Sequence, residues 1–411
     1  MSNSLLTINM ITKEAVRLWK NSNEFLRNID TQYDDSFAKS GAKIGTALRI
    51  RLPNDFTVTT GPAASVQDTA EQSTTLVLAT QKHVDVSYSS VDRTMSLDDF
   101  SKRILAPMVN NLAGAVAADV MSGVDGGVAN FTANLDPTGN VLNPTAQTWL
   151  NAGAILDLNS APVRNRKIIM DPVTQARTVA SLAGLFNPSS RIGEQYESGA
   201  MARALGFEWF MDQTVLKHTT AAYTGTGSPA TVCTTVSGSN QTGLSITTAA
   251  IAGGLAVGDI VTFATSNAVN RITKQSTGQL RQFVVTANVA ANGTSIPIYP
   301  ALIPASGGAQ VQYQTVDVSP TSGGNVNVVT LSGAIYRKNF AYVPEAVTLA
   351  TADLELPRGV HEAAREQFDG VAMRMVSAYN IATDQFITRL DTLYGYLYVR
   401  PEWAVAVGDA V

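Results

Sequence analysis

Between Tyr223 and Leu331 the chain carries only five charged residues, Asp259, Arg271, Lys274, Arg281 and Asp317, in a stretch dominated by Thr, Ser, Val and Gly. With so little charge there is no polar face for an amphipathic helix, and helical periodicity vanishes here. Runs such as DIVTFA, QFVVTA and VQYQTV, separated by Gly, Asn and Pro turns, read as a compact β-barrel or sandwich. On either side strands and helices alternate, so the block is an insertion into a mixed parent fold. Its Gly-rich stretches, GGLAVGD and GTGS, lack the lysine or third glycine of a phosphate-binding loop and read as turns. Cys233, the one cysteine, cannot form an intrachain disulfide and reads as an inert strand residue in a protein folded under reducing conditions.

The parent fold is organised by Ser96 to Met121, where Leu97, Phe100, Ile104, Met108, Leu112, Val116 and Val120 recur at helical steps. Ser96 is placed to cap this helix, with Asp98 and Asp99 at the positive end of its dipole. Pro107 inside the run predicts a bend or break near Arg103 to Pro107. A second helix is expected over Thr145 to Asn159, started by Asn143-Pro144, and a third from Asp171-Pro172 through Leu185. KIIMD (Lys167 to Asp171) and FEWFMD (Phe207 to Asp212) read as strands. FAYVPEAVTL is strand-like, and so is FDGVAMRMVSAYNI, with Val371, Met373 and Met375 alternating against Ala372, Arg374 and Val376.

At the start of the chain, Met10 to Ile29 forms an amphipathic helix whose stripe is Ile11, Ala15, Leu18, Phe25 and Ile29, with Trp19 and Leu26 beside it. Lys13, Arg17, Lys20 and Arg27 alternate with Glu14 and Glu24 on its polar side. A helix carrying Trp19 and Phe25 must dock, on its own chain or on a neighbour. LRIRL then alternates Leu48, Ile50 and Leu52 against Arg49 and Arg51, a half-buried strand ended by Pro53. Phe56 to Thr60, Thr74 to Thr80 and Lys82 to Tyr88 repeat the two-residue period around a small, polar segment, Gly61 to Ser73. That segment is expected to be a long loop at the tip of a hairpin, either a plain surface loop or a lap joint onto a neighbouring subunit.

The rest of the composition excludes more than it proposes. A net charge of -4, with a pI near 5.5, gives no overall footprint for tight DNA binding. The start of the chain does not read as a signal peptide, and no stretch is long and apolar enough to span a membrane. His83, His218 and His361 lie in unrelated segments with no metal-ligand spacing, and Asp384 and Asp391 near Arg389 and Arg400 read as structural ion pairs. No metal, cofactor or catalytic constellation emerges, so an enzyme is not expected. A β-rich host- or glycan-recognition module is the alternative, although Tyr299 and Tyr313 are few for that role.

AVNRITKQSTGQLRQFVVTA, Ala268 to Ala287, and YNIATDQFITRLDTLYGYLYVRPEWAVAV, Tyr379 to Val407, resemble tailed-bacteriophage coat proteins. The likeness is to the short-tailed P-twenty-two type, and it covers essentially the whole chain in order. The resemblance implies an α+β Hong Kong ninety-seven fold with an inserted all-β domain. Its parts would be an N-terminal arm over residues 1–41, an extended loop with flanking strands over 42–90, and a spine helix with peripheral and axial core over 91–222. The inserted barrel would occupy 223–332, with a return to the core over 333–411. The implied function is a major capsid protein that assembles with a scaffolding protein into an icosahedral procapsid and matures around double-stranded DNA. Implied partners are copies of itself in hexamers and pentamers, the scaffolding protein, the portal protein and packaged DNA bound without sequence specificity, in a virion assembled in the bacterial cytoplasm. No lysine lies between Ile44 and Gln81, so the lysine–asparagine cross-link of some relatives lacks its donor and a non-covalent shell is expected. Candidate assembly contacts are Lys13, Arg17, Trp19, Lys20, Phe25 and Arg27 for the scaffold, Asp68 and Glu71 in the loop, and Arg271 and Lys274 between neighbours, with Pro107 as candidate hinge. The insertion is also a candidate folding nucleus.

Overall fold

In chain order the helices are α1 (Ile8–Ser22), α2 (Glu24–Arg27), α3 (Ala106–Gly127), α4 (Ala146–Leu158) and α5 (Pro172–Leu182). The strands before the insertion are β1 (Asp30–Asp34), β2 (Ala47–Arg51), β3 (Ser73–Val77), β4 (Thr80–Ser89), β5 (Phe131–Leu135), β6 (Val141–Leu142), β7 (Lys167–Met170), β8 (Arg203–Ala204), β9 (Phe207–Met211) and β10 (Lys217–Thr219). Those of the insertion are β11 (Val232–Thr235), β12 (Gly243–Ile251), β13 (Ile260–Val269), β14 (Ser276–Val285), β15 (Gly293–Leu302) and β16 (Asn325–Val328). After it come β17 (Ile335–Tyr342), β18 (Val347–Ala352), β19 (Glu362–Phe368), β20 (Val371–Asn380), β21 (Gln385–Tyr398) and β22 (Ala404–Ala410). This computed structural model describes residues 8–34, 47–56, 58–64, 66, 72–89, 104–182, 203–226, 231–306, 308–368 and 371–411. The chain forms two units, one of Met1–Arg51, Ser73–Val120 and Val347–Val399, the other of Leu52–Gln72, Met121–Ala346 and Arg400–Val411.

In the first unit a mixed sheet runs β1-β18-β21-β20-β19, with β4 paired antiparallel along β21. Among the described residues only β1 joins it in parallel, Asp30 facing Thr348. The N-terminal segment packs on this sheet: α1 lies against β19 and β20 and buries Thr12, Ala15, Val16 and Trp19, spaced three and four apart. Trp19 is 1 % exposed and Phe25 is fully buried, so their own chain covers them. The single helix expected over Met10 to Ile29 is instead two. The Asn23 side chain accepts from Leu26 N at 2.9 Å and caps α2, taking a backbone donor that a continuous helix would have used.

The irregularity expected near Pro107 is present in the long helix. Ile104 and Leu105 carry π-helical geometry and the α-helix proper starts at Ala106. Pro107 therefore stands exposed in the first α-turn, where a missing N–H is tolerated. The capping residues Ser96, Asp98 and Asp99, with Leu97 and Phe100, lie outside the described residues. The helix runs on past Met121 to Gly126-Gly127, burying Met108, Val109, Leu112, Val116, Val120 and Val124. Asp119, which interrupts this apolar run, accepts from the Tyr394 hydroxyl and pairs with Lys82 at 2.8 Å, while Tyr398 donates to Val120 O at 2.7 Å. These bonds tie the helix to β4 and β21.

Strands β2 and β3 form their own antiparallel pair, Leu48 facing Leu76 and Ile50 facing Thr74. The alternation read in LRIRL holds: Arg49 and Arg51 are exposed, while Leu48 and Ile50 pack with Leu76, Leu78, Ala350 and Leu393. Phe56 to Thr60 is not a strand among its described residues. Facing no partner strand, its period-two pattern has no ladder to join.

In the second unit an eight-stranded sheet runs β6-β5-β22-β17-β7-β9-β8, with β10 paired on β17. Helix α4 covers it, burying Trp149, Ala152 and Leu156 against Ile168, Met170, Phe207, Val405 and Val407. Trp149 and Trp209 meet edge to face at 4.9 Å. The cap of α4 is Thr145, in a capping box with Thr148, two residues beyond the expected cap Asn143. Asp171 caps α5, accepting from Val173 N at 2.9 Å, and the last three residues expected in that helix, 183–185, lie outside the described residues. FAYVPEAVTL is not one strand. A 3-10 turn at Pro344–Ala346 divides it, so that Phe340 to Tyr342 end β17 and Val347 opens β18 in the other unit's sheet.

The insertion forms a sheet in the order β11-β16-β13-β14-β15-β12. A bridge between Val236 and Thr248 and a bond from Thr234 Oγ1 to Ala249 O at 2.9 Å bring the last strand back to the first, closing a barrel. Its interior holds Phe263 and Phe283, 5.4 Å apart, with Ile246, Ile296, Val316 and Val326. Cys233 is buried in this core, and burial pushes its thiol up to about 12. Thiolate formation is correspondingly suppressed, so alkylation by iodoacetamide at neutral pH should be at least tenfold slower in the folded protein than in urea. Equal rates in the two conditions would mean that the barrel core is open.

Candidate assembly surfaces and the seat of the inserted barrel

The charges left in the barrel are not scattered over its surface. Asp259 meets His218 of β10, Arg271 pairs with Asp55 at 3.0 Å and with Glu402 at 2.8 Å, and Arg281 reaches Asn159 at 3.4 Å. Three of the five thus fasten the barrel to segments outside it. The other two close its own loops: Lys274 donates to Gln312 O at 2.6 Å, and Asp317 accepts from Asn267 N at 2.8 Å. Beside Arg281, the Gln282 amide donates to Phe131 O at 3.0 Å and accepts from Phe131 N at 2.7 Å, completing the backbone pairing of β5 as a strand would. Arg271, Arg281 and Gln282 all belong to the Ala268 to Ala287 motif, which is therefore a docking element.

Deepest in this seat is a buried charge cluster. The Lys338 ammonium lies 2.5 Å from Asp125 Oδ1 and donates to Gly258 O at 2.7 Å. His218 stands between carboxylates, Nδ1 2.8 Å from Asp125 Oδ1 and Nε2 3.0 Å from Asp259 Oδ1. Burial works to raise the Asp125 carboxyl, and its bonds to His218 and Lys338 outweigh that and hold it below the usual carboxylate range. Burial works against the Lys338 ammonium while Asp125 and Asp259 favour it. Gly258 makes the approach possible: it has φ +92°, and a Cβ there would come 2.8 Å from Asp125 Oδ2 and closer still to Oδ1.

The sequence-derived assembly residues fall into distinct settings. On α1 and α2, Lys13, Arg17 and Arg27 are exposed, Arg17 pairing with Glu14 at 2.8 Å and Arg27 with Glu24 at 3.8 Å. Trp19 and Phe25 are interior, the Lys20 side chain lies outside the described residues, and so do Asp68 and Glu71. Arg271 is committed to pairs within its own chain. In the segment joining β2 to β3, Phe56 is 62 % exposed, Val58 95 % and Val66 93 %, a density of bare apolar side chains that suits an interface better than open water. Asp384 and Asp391 do not meet: Asp384 accepts from the Tyr379 hydroxyl at 2.9 Å, while Asp391 is buried among Arg374, Arg389 and Gln81. His83 sits 2.9 Å from Asp85 at the surface, and His361 lies beside Phe386. Nothing in the local sequence around His218 announces its cluster, because its partners are 93 and 41 residues away.

Solved structures similar to this chain include Mycobacterium phage Che8, at 11 % identity and TM-score 0.44 over 94 % of this chain and 90 % of that one. The capsid of Cyanophage P-SCSP1u matches at 11 % identity and TM-score 0.47, over 94 % and 89 %. The CUS-3 coat protein I-domain matches at 32 % identity over 23 % of this chain and 92 % of its own, with TM-score 0.19. No match is found among curated proteins. The chain is of the class of tailed-phage major capsid proteins, a structural protein and not an enzyme, many copies of which form an icosahedral shell. Residues 45–408 match the family described as P22 coat protein, gene protein 5, and the chain belongs to that family.

Proposed function

We propose that this capsid subunit assembles around a scaffolding protein into a procapsid, which then expands into a shell enclosing double-stranded DNA, with a portal protein as a further partner. In this reading residues 1–41 act as an N-terminal arm, 42–90 as an extended loop that laps onto a neighbour, and 223–332 as an inserted domain making a side contact. Pro107, at the π-to-α junction, is the point where the spine bends during expansion. The observation that carries the scaffold assignment is the polarity of the N-terminal helices. They bury Trp19 and Phe25 on their own sheet and leave the cations Lys13, Arg17 and Arg27 exposed. This mixed-charge face, Lys13 beside the Arg17–Glu14 and Arg27–Glu24 pairs, attracts an acidic or complementary helix through contacts that salt screens.

Reversing two of these charges (K13E with R17E) should leave the subunit folded and reduce scaffold-dependent assembly about tenfold at low salt, with a weaker salt dependence than the unsubstituted protein. Light scattering of assembly against ionic strength checks it. Unchanged assembly and an unchanged salt slope would remove the scaffold from this surface.

A further inference from the structure

The two carboxylates around His218 belong to different parts of the second unit: Asp125 is on α3 of the parent fold and Asp259 is on the barrel, in the turn before β13. His218 is 2 % exposed. The second oxygen of Asp259 is occupied by the backbone N–H groups of Ala256, at 2.8 Å, and Ala221, at 3.4 Å. An ionised carboxylate only accepts hydrogen bonds, so a ring nitrogen facing one must donate. His218 faces a carboxylate with each nitrogen, and only the imidazolium donates from both. The charges then balance: Asp125 and Asp259 against His218 and Lys338.

The remaining groups around the ring cannot replace that proton. From β17 the Tyr336 ring packs 5.3 Å from the imidazole, and burial raises its hydroxyl well above the ordinary value. On the Asp259 side, burial likewise pushes up Tyr223 and Cys233, which stay neutral. On β10 itself, Lys217 and Thr219 point outward and are exposed. Loss of the His218 proton would leave one uncompensated negative charge in the seat and turn a lone pair toward one of the carboxylates.

We propose that His218 is a proton-operated latch: its imidazolium joins the parent fold to the inserted barrel, and removal of that proton loosens the barrel from its seat. The latch makes the pose of the insertion, and with it the surface the insertion offers to other molecules, dependent on pH.

The full-length unassembled subunit tests this directly. The chain has three histidines, so ¹⁵N-histidine labelling gives three ring systems, with His218 identified by its absence in H218Q. At about pH 7.5, a pH at which an unperturbed imidazole is mostly neutral, both ring nitrogens of His218 should be protonated; a neutral single tautomer would overturn the proposal. Proton linkage gives a second readout. A native state that holds this proton at a pH where the unfolded chain has released it must lose stability as pH rises. The unfolding constant should rise by up to tenfold per pH unit until the native state also releases the proton. H218Q should flatten that slope, and the double variant H218Q/D259N, which restores neutrality while keeping the Lys338–Asp125 pair, should be at least tenfold more stable than H218Q alone. A slope that survives H218Q overturns the proposal, as does a double variant no more stable than the single one. If H218Q fails to fold, the ring-nitrogen measurement on the unsubstituted chain decides.

Discussion

Replacing Lys338 by methionine should destabilise the subunit by about 3–5 kcal/mol, the cost of leaving a buried carboxylate without its partner. Methionine keeps the length of the side chain, so little of the loss would come from a cavity. What goes is the 2.5 Å pair to Asp125 and the donor to Gly258 O; the Lys338 side chain is fully buried, and the Asp125 carboxylate is about a quarter exposed. Asp125 would then face Asp259 across His218 with one cation fewer. Urea unfolding should show the loss in the transition that exposes the barrel seat. Adding D125N to K338M should recover part of it, because the two groups act as a unit and their effects are not additive. A loss below about 1 kcal/mol would mean that the seat is open to water, where such a pair contributes little.

Gly395→Ala should have a comparable effect in the first unit, about 3 kcal/mol or more. Gly395 lies in β21 opposite Ala350, and an added Cβ would fall 2.8 Å from the Val77 carbonyl carbon and 3.2 Å from Leu78 Cα. Those are backbone atoms, which cannot swing aside as a flexible side chain would. The β2–β3 pair, which packs there through Leu76 and Leu78, must lift away from β21. Hydrogen exchange in Ala47–Arg51 and Ser73–Val77 should therefore rise well above that of the rest of the unit, and the melting temperature should fall by several degrees. Unchanged exchange in both strands would show that β21 yields instead.

The parts of this fold that could be read from the sequence are those fixed by neighbours in the chain. KIIMD, FEWFMD and LRIRL reveal themselves by alternation, α1 by its three- and four-residue stripe, and the barrel by the disappearance of charge after Tyr223. The errors come from competition that periodicity does not see. Asn23 diverts a backbone donor and splits the first helix, and the turn at Pro344–Ala346 sends one apolar run into two sheets.

The buried cluster is illegible for a different reason. Asp125 and Lys338 are 213 residues apart, so no spacing rule joins them. Two signals do exist. Asp259 is one of two acids in a block with almost no charge, and Lys338 lies two residues before the apolar Phe340-Ala341-Tyr342 in a strand buried from Tyr336 onward. A charge placed where burial is otherwise complete calls for a partner. The same logic recasts the insertion's other charges. Arg271 reads in the sequence as a contact to a neighbour, and within its own chain it pairs with Asp55 and Glu402.

The central claim is that this chain is built to close a shell with copies of itself. Electron microscopy of the purified protein, expressed with and without the proposed scaffolding protein, tests this. Closed icosahedral particles of uniform size are expected, with the inserted barrel resolved as separate density on each subunit. A small, monodisperse species under all assembly conditions would contradict it.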